Sequence, residues 1–91
     1  MRENFYVIAF ESTHYAMMME KRLKENFQTE MIPTPRCITA SCGLSLKFSG
    51  EQMPEIIKEI KSLKGDKTMF HIYQVKRTAG KDEATEISWD S

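Results

Sequence analysis

Phe5-Tyr6-Val7-Ile8-Ala9-Phe10 is an unbroken run of apolar, aromatic and β-branched residues of strand length. A run of that kind belongs in a central strand covered on at least one face. The rest of the chain must therefore supply strands to pair with it and a layer to cover it. Glu11-Ser12-Thr13-His14 breaks the run, and Ser12 or Thr13 offers a side-chain oxygen to the free amides of the following turn. Ala16, Met19, Leu23 and Phe27 then recur at helical spacing, with Glu20 and Lys24 paired on the other side.

Thr29-Glu30-Met31-Ile32 reads as a short second strand ended by Pro33. Two prolines and a glycine mark Pro33 to Gly43 as a structured loop. Leu44, Leu46 and Phe48 alternate with Ser45 and Lys47, which is the pattern of a half-buried strand. Ser49-Gly50-Glu51-Gln52 fits a capping box in which Gln52 reaches back to Ser49. Met53, Ile56, Ile57, Ile60 and Leu63 form the stripe of a second helix, with Gly65 as its terminator. Thr68 to Val75 is a fourth strand whose inward face the pattern leaves open. From Lys76 onward the chain is mostly polar and reads as a mobile tail, with Ile87 and Trp89 as candidates for a short docked segment.

This order predicts an α+β, ferredoxin-like βαββαβ fold: a four-stranded antiparallel sheet with both helices on one face. Residues 1–76 make the domain and residues 77–91 a polar C-terminal tail. In that topology the third strand lies beside the first, and Cys42 falls near Ser12-Thr13-His14 at the start of the first helix. Two exposed sheet edges make a homodimer a further expectation.

Charge narrows the partners. Thirteen Lys and Arg balance thirteen Asp and Glu, which argues against nucleic acid, whose binding needs a surplus of clustered cations. No apolar run approaches the roughly 20 residues that span a bilayer, so no membrane partner is expected. Met1-Arg2-Glu3-Asn4 lacks the organisation of a signal peptide. Two cysteines without a secretion signal point to a reducing compartment, the cytoplasm. A Cys37–Cys42 disulfide would close only a very short loop and gain little by it. No Ser-His-Asp order, phosphate-cradling glycine loop or paired-acid motif stands out, so a self-sufficient hydrolase or kinase is not indicated.

What chemistry remains runs through Cys42. A thiolate is the reactive form of cysteine, stabilised by cations and helix-terminal amides. The expected end of the sheet offers the first amides of the helix at Thr13, the imidazole of His14 and the guanidinium of Arg36. Gly43 lets the backbone approach a ligand and adds an amide for an anion. A plainer reading stands beside each residue. A cysteine in a small domain is often a buried small hydrophobe. Cys37 is either a resolving partner or a loop residue, and Cys-x4-Cys is not the redox Cys-x-x-Cys motif. His14 reads equally as a solvated first-turn residue and Arg36 as a surface ion pair. His71 reads as structural, and Met17-Met18-Met19 as core and helix surface. With only His14 and His71 to add, a metal site is not expected.

Ser12-Thr13-His14, Ala16, Glu20-Lys21-x-Leu23, Ile32-Pro33-Thr34-Pro35-Arg36 and Ser41-Cys42-Gly43 together resemble the small bacterial selenium/sulfur carrier-like proteins, from about Phe5 to Phe48. The resemblance implies a cytoplasmic ferredoxin-like protein whose Ser-Cys-Gly cysteine, here Cys42, carries sulfur or selenium as a persulfide or selenosulfide. Arg36, Ser41, Gly43, Thr13 and His14 would line the same pocket. Donor and acceptor proteins are the implied partners, with no bound cofactor. Cys37 and the residues after Val75 fall outside the family pattern. Two other readings remain: a non-enzymatic module of ferredoxin-like fold binding a small ligand or protein, and a thiol-disulfide sensor using Cys37 and Cys42.

Overall fold

The computed structural model describes residues 2–38, 43–62, 69–78 and 80–87. Strand β1 (Arg2–Phe10) leads into helix α1 (Thr13–Lys24), followed by β2 (Glu30–Pro33) and β3 (Leu44–Phe48). A 3-10 turn at Gly50–Gln52 introduces α2 (Met53–Ser62), and β4 (Phe70–Thr78) and β5 (Lys81–Ile87) complete the chain. The strands form one antiparallel sheet in the order β2-β3-β1-β4-β5. The apolar run Phe5–Phe10 is thus central, with β3 beside it as its topology demands.

The expectation of four strands in βαββαβ order is corrected. Residues 81–87, read from sequence as polar tail, pair with β4 from Thr78↔Lys81 to Ile72↔Ile87. The reason is tertiary: only Ala84 and Ile87 of β5 are half-buried, so the strand carries almost no apolar pattern of its own. Its ladder comes from β4. The turn joining them places Gly80 at φ 87°, a region costly for any residue with a Cβ. Gly80→Ala should therefore lose about 1–2 kcal/mol. Gly43→Ala, at an ordinary φ and with nothing within 4 Å of an added Cβ, should be neutral in the same thermal melts.

Both helices cover one face of the sheet. Ala16, Met19 and Leu23 of α1 and Ile56 and Ile60 of α2 share a buried cluster with Ile8, Phe10, Leu46, Phe48, Phe70 and Ile72. Register explains the selection, because Ile8 faces Leu46 and Ile72 across the two ladders. Ser12 caps α1 as its position suggests, accepting from Tyr15 N at 3.2 Å. Arg22 of α1 meets Glu59 of α2 at 3.0 Å.

The capping box does not form. Ser49 makes no side-chain cap, since Gln52 N donates to the Ser49 carbonyl instead, and the Gln52 side chain is engaged elsewhere. Its amide accepts from Gln28 N and donates to Gln28 O, each at 2.8 Å. It ties the chain after α1 to the start of α2. Leu63, Gly65 and Trp89 lie outside the described residues.

Candidate functional site

The opposite, helix-free face of the sheet carries residues 34–38, the first part of the Pro33–Gly43 connection. Phe5, Val7, Ala9 and Val75 form a second buried cluster there, and Ile38 from the connection packs into it. Val7 and Ala9 are 0% and 1% exposed, so the part of this face around Ile38 is closed to solvent. Ser45 follows from the same cause. Alternation assigned it to solvent, yet it is fully buried, and its hydroxyl lies 2.8 Å from Thr34 Oγ1.

The path of the connection is set by a few bonds. Pro33 ends β2, and Thr34 N donates to Gly43 O at 2.9 Å, closing the base of the loop. Ile38 N donates to Pro35 O at 3.0 Å, a β-turn with Arg36 and Cys37 at its two central positions. Ile38 points inward and is buried, while Arg36 and Cys37 are exposed. Cys37 is a free thiol. The candidate nucleophile Cys42 and its neighbour Ser41 lie outside the described residues.

Thr13 and His14 are exposed in the first turn of α1, with the His14 ring edge-on to Tyr15 at 6.1 Å. Ala9 pairs with Ser45, so the start of α1 and the segment entering β3 at Gly43 leave the same end of the sheet. Arg36 is placed differently. It lines a cleft of about 540 Å³ on the helix-free face together with Lys47, Arg77 and Asp82. Neither Thr13 nor His14 lines that cleft.

A second polar group lies on the helix-free face at the end where α1 begins. His71 Nδ1 is 3.2 Å from Glu86 Oε2, and its Nε2 is 3.8 Å from Glu11 Oε1. Burial, and then the charges of Glu86 and Glu11, push the Tyr73 hydroxyl above the usual tyrosine pKa. A raised folded pKa favours the neutral form. The resulting stabilisation is present below the unfolded value of about 10 and is lost as pH rises through the folded one. Tyrosinate absorbance should show one late-titrating group that Tyr73→Phe removes. Thermal stability should fall less steeply above pH ~10 in that variant.

Sequence reading missed Lys47, Arg77, Asp82, Glu11 and Glu86 as possible site residues. They come from β3, β4, β5 and the residue after β1, and strand register brings Lys47, Arg77 and Asp82 to one cleft and Glu11 and Glu86 to His71. Among the described residues no group of three or more His, Cys, Asp and Glu is placed to hold a metal ion. No helix among them is long and apolar enough to cross a membrane.

A family model described as "Putative Se/S carrier protein-like" matches residues 5–68. No curated protein and no solved structure matches the chain. The matched span runs from within β1 past the end of α2 and includes the Pro33–Gly43 connection.

Proposed function

The chain belongs to the Putative Se/S carrier protein-like family, and from that premise we propose that it relays a sulfur or selenium atom on the Cys42 thiol. The observation that carries this reading is the family match across the segment holding Ser41-Cys42-Gly43. The scaffold supports it. The loop leading to Cys42 is closed at its base by Thr34 and Gly43 and pinned to the sheet by Ile38, and loops on rigid scaffolds are where reactive groups are usually carried.

In the proposed step the Cys42 thiolate attacks the terminal sulfur of a donor protein's persulfide. A new S–S bond forms at Cys42, the donor's own S–S bond breaks, and the donor cysteine leaves as a thiolate. No outside oxidant is consumed. An acceptor then takes the atom by the reverse sense of the same exchange. Thr13, His14 and the amide of Gly43 are the groups we assign to holding the thiolate and its charged cargo, whereas Arg36 lines a different cleft. The chemistry belongs to a reducing compartment, the cytoplasm, where thiols stay unpaired.

The test is loading by a cysteine desulfurase with cysteine, read by intact mass. Wild type and Cys37→Ser should each gain one sulfur atom that reductant removes, and Cys42→Ser should gain none. Equal loading of Cys42→Ser, or no loading of wild type, would sink the reading.

A further inference from the structure

We propose that the cleft on the helix-free face binds a small organic anion, its carboxylate or phosphate held among Arg36, Lys47 and Arg77. All five strands build this cleft. Glu30 and Ile32 come from β2, Lys47 from β3, Phe5 from β1, Arg77 from β4 and Asp82 from β5. The turn carrying Arg36 forms the remaining wall. Its volume of about 540 Å³ falls within the about 300–1,000 Å³ usual for small-molecule sites.

Charge selects the ligand. Lys47 Nζ lies 4.7 Å and the Arg77 guanidinium 5.2 Å from the centroid of the one Phe5 ring. Two like charges are thereby held over one apolar floor, where the local potential favours an anion. With Arg36, three cations face two carboxylates in the cleft, although the chain as a whole is neutral. Arg77 and Asp82 offset one another, at 3.0 Å from Nε and 3.4 Å from Nη2, so the surplus positive charge of the cleft rests on Arg36 and Lys47. Glu30 stands opposite Lys47 in the ladder. Ile32 and the ring of Pro35 offer apolar surface to the body of the ligand.

The full chain, isotopically labelled, is titrated at low ionic strength with phenyl phosphate, benzoate and benzyl alcohol, and amide shifts are followed by NMR. At least one of the two anions should saturate and move the amides of Arg36, Lys47 and Arg77, with the better head group naming the ligand's charge. Benzyl alcohol should not bind. Arg36→Gln and Lys47→Gln should each weaken binding about tenfold, the loss of one charge-assisted hydrogen bond, and Arg36→Gln, on an exposed turn, should do so without altering the melting temperature. Lys21→Gln on α1 should bind as wild type. Cys42→Ser should do so too, which separates this cleft from the carrier chemistry. No saturable shift, equal binding of the alcohol, or wild-type affinity in both Arg36→Gln and Lys47→Gln would overturn the proposal.

Discussion

Phe10→Ala is expected to destabilise the protein by about 3–5 kcal/mol, the usual cost of truncating a fully buried aromatic residue. Phe10 is 0% exposed and belongs to the cluster where both helices meet the sheet. It is also the last residue of β1, paired with Phe70, directly before the turn into α1. The side chain lost there leaves a void between elements that are fixed by their ladder and their cap, so little of it can collapse. A domain of this size has only about 5–15 kcal/mol in total. Its melting temperature should fall by at least about 12 °C. A fall of only a few degrees in chemical and thermal denaturation would mean that the helical layer is not packed against the end of β1.

Ile38→Asp is the second large effect, and it separates the two faces of the sheet. Ile38 is 6% exposed among Phe5, Val7, Ala9 and Val75. A carboxylate cannot stay there unpaired without a cost of several kcal/mol. The cheaper outcome is release of the turn, which among the described residues is held by the backbone bonds from Thr34 to Gly43 and from Ile38 to Pro35. Release forfeits the burial of Ile38, worth about 1.5–3 kcal/mol, and uncovers Val7 and Ala9. The helical core on the other face should survive. Hydrogen exchange at the residue 38 amide should therefore accelerate strongly while amides of α1 and α2 keep their protection. Unchanged exchange at that amide would refute the packing of this turn on the sheet. If the carrier reading holds, Ile38→Asp should also slow sulfur loading, because the loop leading to Cys42 would lose its support.

Much of the framework was legible because its signals are local. Ser12, one of the two caps the sequence offers, caps α1 in the structure, and the stripe of Ala16, Met19 and Leu23 is the stripe that is buried. A cap and a helical period are complete within a few residues, so no distant partner is needed to read them. The capping box failed for the opposite reason. Its motif is also local, but Gln28 offered Gln52 a backbone donor and acceptor from across the fold. The candidate site divides in the same manner. A proline- and glycine-marked loop with Arg36 was visible in the sequence, whereas its partners Lys47 and Arg77 read there as ordinary surface charges.

By itself the sequence determined which segments are strands and helices over most of the chain, that β1 is central, and which stripes the helices bury. Those choices rest on periodicity, caps and breakers, whose energies are settled between near neighbours. Tertiary structure alone decided that residues 81–87 join the sheet, since nearly all their apolar contact is borrowed from β4. It decided that Ser45 is buried on a face that alternation left to water, its hydroxyl against that of Thr34. It also decided that three cations from a turn and two strands share one cleft. That convergence depends on register, and register belongs to pairs of strands rather than to any one of them.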